Sequence, residues 1–243
     1  LNSPFKPASG ISTPRSLQFR FKTISVPTAS LYQVVWAGNN STALITLEYT
    51  GSGLTTGSYS GSVVSASNEF ATMRFYPEGN SDLTVSASVQ VPFFNNDWWS
   101  VQTNVVGTTA SLFVGNKLNG KLQYTASDSV TGIVSSRWNS VVTSSFPSVE
   151  GKGINIDGQD HNPLTASFQE IRYWNQAISE SRFLDYVVNP YSTQGNQVNS
   201  AENTLIFRAP LGSQLDTGSR TSIHPRVTGS WATTSSFKNV GSS

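Results

Sequence analysis

The chain has 243 residues, and only 12% of them are charged, well below the roughly 25% of an average soluble protein. Its 15 basic and 14 acidic residues are scattered and give a net charge of +1. No run of basic residues is present that would bind nucleic acid or an anionic membrane. The absence of cysteine excludes disulfides, thiolate metal sites and cysteine nucleophiles.

Apolar residues recur at every second position along most of the chain, which predicts half-buried β-strands. In residues 16–22, Leu17, Phe19 and Phe21 lie on one face and polar residues lie on the other. Residues 83–91 alternate in the same way as far as Pro92, which cannot donate to a ladder. Further strands are predicted over residues 31–38, 42–50, 69–76, 98–106, 110–118, 121–126, 153–157, 167–174 and 203–211.

Glycine-containing and proline-containing turns separate most of these strands. Asn119 and Gly120 tolerate the positive φ of a type I′ turn, so they predict a tight hairpin between residues 110–118 and 121–126. Residues 157–163 contain Asp-Gly and Asn-Pro, and this composition predicts a turn.

One short helix is predicted near residues 179–188. Ser179 is a suitable N-cap, and Phe183, Tyr186 and Val187 follow at helical spacing on one face. Asn189-Pro190 ends the helix. We expect this helix to close one end of the fold as a lid on the core.

Strands without intervening helices predict an all-β fold of two packed antiparallel sheets, a sandwich or jelly roll. We expect one domain over residues 16–232, an N-terminal extension over 1–15 and a flexible Ser/Thr-rich tail over 233–243. No segment reaches the roughly 18 apolar residues that cross a bilayer, so membrane insertion is not expected.

The order of strand and helix near the C-terminus resembles the concanavalin A-like superfamily, and within it the laminin G-like and pentraxin-like domains. Several segments carry the resemblance: Glu170 to Trp174 followed by Asn175, Ala177, Ile178 and Ser179, the segment Trp98 to Val105, and residues 111–120. In outline the likeness covers about 16 to 211. The resemblance implies a jelly roll, on which lectins, adhesion modules, glycosidases and structural domains all occur. Residues 211–231 also look similar to segments of large structural proteins of bacteriophages and other viruses.

The acidic residues do not form a catalytic pattern. Glycosidases on this fold place two or three carboxylates on one strand, whereas here no two acids stand at i and i+2 of a predicted strand. A serine triad would need one of only two histidines, and His161 and His224 each fall beside a proline-containing turn. We predict that the protein is not an enzyme; a glycoside hydrolase relative is the disfavoured alternative.

Two loops are candidate ligand sites. Asp157 and Asp160 could supply hard oxygen ligands to Ca²⁺, although Asp-Gly and Asn-Pro also serve as plain turn formers, and no cofactor is expected to be required. Carbohydrate binding is predicted at residues Asn95, Asn96, Asp97 and Trp98, which combine an aromatic face with amides and a carboxylate.

Trp98 and Trp99 should face opposite ways in a strand, so that one of them belongs to the core, and the whole group could instead mark a tight turn. The remaining tryptophans, Trp36, Trp138, Trp174 and Trp231, are predicted to fill the core or an interface.

These features favour a non-catalytic structural and recognition module of a larger surface assembly, on a virus or phage particle. Its expected partners are protein subunits of that assembly, further copies of itself in a homo-oligomer, and glycans. The alternative is a calcium-dependent carbohydrate-binding lectin or adhesion domain of a secreted protein. Both interpretations place the protein on a virion surface or outside the cell.

Overall fold

The computed structural model of the protein describes residues 2–5, 13–23, 25–38, 43–51, 67–146, 154–156, 158–192 and 204–211. Most of this part of the chain is β-structure. The strands are β1 (Asn2–Pro4), β2 (Ser16–Thr23), β3 (Leu31–Gly38), β4 (Ala43–Tyr49), β5 (Ala71–Tyr76), β6 (Ala87–Val91), β7 (Trp99–Val106), β8 (Thr109–Leu118), β9 (Lys121–Thr131), β10 (Thr143–Ser145), β11 (Ile154–Ile156), β12 (Gln159–Pro163), β13 (Ala166–Trp174) and β14 (Leu205–Ala209). Two helices are described, α1 (Ser135–Asn139) and α2 (Glu180–Val188).

The strands form two packed sheets, which confirms the all-β sandwich with a short helix near its C-terminus. The first sheet has the order β1-β10-β3-β4-β5-β6, and β12 joins it beside β3 with β11 attached. The second sheet has the order β14-β13-β2-β7-β8-β9. All pairings are antiparallel except that of β12 with β3, which is parallel and corrects the expectation of purely antiparallel sheets.

The core lies between the two sheets and is filled by the alternating residues. Leu17, Phe19 and Phe21 of β2 are fully buried there, as the sequence predicted. The segment expected to be an N-terminal extension supplies β1, which pairs with β10, and also Phe5. The Phe5 ring lies 5.4 Å from Trp36 and 5.4 Å from Trp138, so this segment contributes to the core.

Helix α2 confirms the predicted start and end. The Ser179 hydroxyl accepts a hydrogen bond from the backbone N–H of Arg182, and the helix ends at Val188. Its position differs from the expected lid, because α2 lies across the outer face of the second sheet. Phe183 packs on Phe113 of β8, whose side chain points away from the core.

Burial of that outer face also changes the predicted exposure of the polar side chains of β2. The polar residues of β2 were expected to face solvent, yet Gln18 and Arg20 are 3% and 7% exposed. Nearby, the side chains of Gln102 and Asn104 in β7 both donate to the carbonyl of Ile178, just before α2. The chain that leads into α2 therefore covers polar groups that alternation alone assigned to water.

Strand β6 begins at Ala87, so the prediction of a strand from residue 83 is wrong over its first four positions. The carboxylate of Asp82 accepts hydrogen bonds from both the backbone N–H and the hydroxyl of Thr84. This local bond gives the backbone an alternative to the ladder and bends the chain. Similarly β5 begins at Ala71, after a 3₁₀ turn over Ser67–Glu69.

The predicted turn at residues 157–163 is wrong for most of its length. Gln159–Pro163 is β12, and it forms a hairpin with β11. His161, which the sequence placed in a turn, is a buried strand residue. Helix α1 was also not predicted; it is only five residues long, and Trp138 anchors it in the core.

The β8–β9 hairpin confirms the predicted tight turn, since Asn119 and Gly120 have φ values of 53° and 76°. Of the described helices, none is long and apolar enough to span a membrane. The predicted tail over 233–243, together with Trp231 and His224, lies outside the described residues.

Candidate functional site

The loop between β6 and β7 is organised by one amide side chain. The Asn95 Oδ1 accepts from the backbone N–H of Asp97 and from the Trp99 indole N–H, both at 3.1 Å. Its Nδ2 donates to the Asp97 carboxylate at 3.2 Å. Asn96 takes the left-handed conformation with φ of 62° and is exposed. Asn95 is therefore committed to the loop, whereas Asn96 and Asp97 present polar groups at the surface.

The two tryptophans that follow point to opposite sides, as predicted. Trp99 is fully buried, and its ring lies 5.0 Å from Phe93 and 5.9 Å from Tyr124. Trp98 is half-buried on the outer side of the second sheet. It is the only described tryptophan that is not buried, because Trp36, Trp138 and Trp174 are buried like Trp99.

Arg20 supports the Trp98 ring from the neighbouring strand β2. Its guanidinium carbon lies 5.2 Å from the Trp98 ring centroid, and one guanidinium nitrogen lies 3.4 Å from the Gln169 side-chain oxygen. Burial lowers the pKa of Arg20, and the hydroxyl of Tyr191 and the carboxylate of Glu170 oppose that shift. Arg20 thus packs against the Trp98 ring and also interacts electrostatically with Tyr191.

Tyr191 is 51% exposed and is held by the segment that leaves α2. The Lys117 ammonium donates to the carbonyl of Val188 at 2.6 Å, and the Arg208 guanidinium donates to the carbonyl of Tyr191 at 3.2 Å. Arg172 donates to the carbonyl of Pro190. These three cations bind the carbonyls at and beyond the C-terminal end of α2, where positive charge is favoured.

We call the group formed by Lys22, Asp97, Trp98 and Tyr191, together with the buried Arg20 that packs against Trp98, the Trp98 surface. Burial raises the pKa of the Asp97 carboxyl, and the Lys22 ammonium opposes that rise. The surface combines two accessible aromatic rings with the Asp97 carboxylate and the Lys22 ammonium, while Arg20 is buried against the Trp98 ring. This combination suits a ligand that has an apolar face and several hydroxyl groups.

Sequence reasoning found part of this surface and missed the rest. Of the four predicted residues, Asp97 and Trp98 belong to this surface, Asn96 is exposed beside it, and Asn95 turns its side chain into the loop. Arg20 was assigned to an ordinary solvent-facing strand position, and its pairing opposite Ser100 of β7 places it next to Trp98. No local signal in the sequence connects Tyr191 to a loop almost a hundred residues earlier.

The structure describes only one of the two predicted calcium ligands. Asp160 is exposed on β12 and accepts a hydrogen bond from the Asn155 side chain at 2.9 Å. Asp157 lies outside the described residues. Within the part of the chain that the structure describes, no cluster of three or more histidine, cysteine, aspartate or glutamate residues could hold a metal ion. Calcium binding stays a prediction.

A second polar cluster covers the outer face of the first sheet. The Glu48 carboxylate accepts from Arg74 at 2.9 Å and from the Thr46 hydroxyl at 3.0 Å. His161 of β12 lies over this cluster, with its Nε2 4.0 Å from Glu48 and its ring edge-on to Tyr32. Sequence reasoning missed this cluster because three separate strands and the β11–β12 hairpin contribute to it.

No protein-family model matches the sequence, and no curated protein matches it. Among solved structures, tailspike protein 2 of an Escherichia coli O157:H7 bacteriophage is 10% identical and covers 84% of this chain, with a TM-score of 0.44. The enzymatically active domain of bacteriophage CBA120 tailspike protein 2 is 12% identical over 86% of this chain, also with a TM-score of 0.44. The LG1-3 region of the laminin alpha2 chain is 10% identical over 71%, with a TM-score of 0.40.

This chain spans only part of each of those proteins: 25% of the first tailspike chain, 28% of the second and 29% of the laminin chain.

Proposed function

We propose that the protein is a non-catalytic recognition and structural module of a larger surface assembly, on a virus or phage particle, and that its Trp98 surface binds a glycan. The observation that carries the glycan proposal is the contrast between two adjacent tryptophans. Trp99 is fully buried, whereas Trp98 presents its ring at the surface against Arg20. A large aromatic ring kept accessible beside fixed polar groups is a typical anchor for a ligand.

The chemistry of the Trp98 surface matches that of a pyranose. The apolar C–H face of a sugar ring packs on an aromatic ring, and its hydroxyls bond to side chains at the rim. Trp98 and Tyr191 supply the aromatic faces, and Lys22 and Asp97 supply a donor and an acceptor. Arg20 is buried and contacts both Trp98 and Gln169, so the ligand would meet a Trp98 ring that is already supported.

The most deeply buried acids support a non-catalytic role. The Glu78 carboxylate accepts from the backbone N–H of Val134 and binds Arg137. The Glu170 carboxylate binds two arginines. Both carboxylates are therefore neutralised by structural partners and are not free to act as acid or base.

A direct binding experiment tests the proposal. The protein is applied to a glycan array, with Ca²⁺ and with EDTA, and the best glycan is then titrated by calorimetry. We expect Trp98→Ala to weaken the affinity at least tenfold and Trp98→Phe to retain most of it, because phenylalanine keeps an aromatic face. Leu122→Ala, a change at an exposed residue of β9, is the matched control and should leave affinity unchanged.

Each outcome has a defined meaning. Selective binding that needs Trp98 and survives EDTA supports the proposal as stated. Binding that EDTA abolishes would replace it with the calcium-dependent lectin and direct attention to Asp157 and Asp160. If no glycan on the array binds and light scattering shows self-association, the glycan proposal is overturned and only the structural role in an assembly remains.

A further inference from the structure

A cavity of about 380 Å³ opens at the rim of the sandwich opposite the Trp98 surface. Arg15, which directly precedes β2, and Val105, at the end of β7, line it together with residues of α1. Because β7 runs from Trp99 to Val106, its length of roughly 3.3 Å per residue places this cavity about 20 Å from Trp98. The cavity is therefore separate from the proposed glycan surface.

The walls of the cavity are fixed by hydrogen bonds. The Trp138 indole N–H donates to the carbonyl of Pro14 at 2.9 Å, and the Thr13 hydroxyl donates to the carbonyl of Asn139 at 3.0 Å. The backbone of Arg15 is held on both sides, since its N–H donates to Trp174 and its carbonyl accepts from Val105. A site with such a backbone loses little freedom when a ligand binds.

The Arg15 side chain is exposed, in contrast to its fixed backbone. The cation of α1 is committed, because Arg137 binds Glu78. Among the described residues, no hydrogen-bond or ion-pair partner is found for the Arg15 guanidinium. The guanidinium of an arginine carries five donors, and at the mouth of a cavity it is suited to hold an anion by two parallel bonds.

The remaining lining residues indicate which groups, besides an anion, a ligand of this cavity would carry. The half-buried Ser135 and the exposed Asn139 bring a hydroxyl and an amide to the cavity, while Val105 and Trp138 form an apolar wall. The volume falls within the roughly 300–1,000 Å³ of small-molecule sites. A ligand that fits these walls has one carboxylate, several hydroxyls and the size of a sugar unit.

We infer that this rim cavity binds an acidic sugar unit, with its carboxylate on the Arg15 guanidinium and its hydroxyls on Ser135 and Asn139. The inference does not depend on glycan binding at Trp98, because the two sites lie at opposite ends of β2 and share no residue.

The test uses D-glucuronate as the probe and D-glucose as its neutral counterpart. In amide-resolved NMR titrations of the whole chain, glucuronate should produce saturable shifts at Arg15, Ser135 and Asn139, and glucose should produce none. Arg15→Gln should weaken glucuronate binding at least tenfold without changing the melting temperature. Lys121→Gln, which removes an exposed cation at the far end of β9, is the matched control and should bind like the wild type.

Two further variants keep the result interpretable. Ser135→Leu should block the cavity and abolish binding even though Arg15 remains, and Trp98→Ala should leave binding intact. The inference is overturned if glucuronate gives no saturable shift at these residues, if glucose binds equally well, or if Arg15→Gln retains full affinity. Equal shifts with inorganic sulfate would also overturn it, since they would mark a general anion contact rather than a sugar site.

Discussion

The guanidinium of Arg172 lies 2.6 Å from the carboxylate of Glu170, and each side chain is only 2% exposed. Arg208 binds the other carboxylate oxygen at 2.8 Å. Arg172 also donates to the carbonyl of Pro190, and Arg208 donates to the carbonyl of Tyr191. Glu170 therefore fixes the chain that leaves α2, and with it the position of Tyr191 at the Trp98 surface.

Loss of the Glu170 charge should destabilise the whole fold. In Glu170→Gln the buried guanidinium of Arg172 and the partly exposed guanidinium of Arg208 lose their counterion, and we expect the free energy of unfolding to fall by about 3–5 kcal/mol. Urea denaturation measures this loss. Glu180→Gln, at an exposed position in the first turn of α2, is the control and should lose less than about 1 kcal/mol. A Glu170→Gln variant as stable as this control would contradict the structural role of the pair.

The two adjacent tryptophans should respond differently to truncation. Trp99→Ala leaves a large cavity in the core, and we expect it to lower the free energy of unfolding by about 3–5 kcal/mol. Trp98→Ala removes a half-buried ring with one cation–π contact, and it should lower stability by about 1 kcal/mol or less. Chemical denaturation of the two variants side by side measures the difference. Similar losses would show that Trp98 is a packing residue and not a ligand platform.

Asp97 should make stability depend on pH. Its pKa is raised by burial, so the carboxyl stabilises the fold in its protonated form. This contribution is fully present below the ordinary aspartate pKa of about 3.9 and is lost as pH rises through the raised pKa. We therefore expect Asp97→Asn to match the wild-type melting temperature near pH 3 and to exceed it at pH 7.

Asp82 provides a control of opposite sign for that experiment. Hydrogen bonds from the Thr84 hydroxyl and backbone N–H lower the pKa of Asp82, so its contribution is present above the ordinary aspartate pKa and is lost as pH falls through the lowered pKa. Asp82→Asn should accordingly melt below the wild type at pH 7, with a difference that shrinks toward acid pH. If both variants shift in the same direction, the assignment to Asp97 fails.

Gly115 should be required for the close approach of α2 to the second sheet. A Cβ atom at this position would lie 3.1 Å from Cγ2 of Val187 and 3.5 Å from the carbonyl oxygen of Tyr124. We expect Gly115→Ala to lower the free energy of unfolding by about 1–2 kcal/mol. Adding Val187→Ala should make the combined loss smaller than the sum of the single losses. A double-mutant cycle measures this coupling, and strict additivity would mean that the two residues do not compete for space.

Residues of the candidate site could be predicted where they are close in the sequence, and could not where distant segments bring them together. Asp97 and Trp98 could be singled out because the pattern around them is local, and the opposite orientations of Trp98 and Trp99 followed from strand geometry. Arg20 and Tyr191 were missed because the register of β2 on β7 and the path after α2 bring them to Trp98. The rim cavity was missed for the same reason, since Thr13, Val105 and Ser135 lie far apart in the chain.

The sequence by itself determined which side chains of β2 fill the core, where α2 begins and ends, and that Asn119-Gly120 turns a hairpin. Each of these depends on neighbouring residues alone, through the two-residue period of a strand, an N-cap hydroxyl, or a backbone that accepts positive φ. Only the tertiary structure decided that α2 covers the outer face of the second sheet, that Gln18 and Arg172 are buried there, and that Gln159–Pro163 pairs with β3. Those outcomes depend on which distant surfaces meet, and alternation cannot tell a face that meets water from one that another element covers.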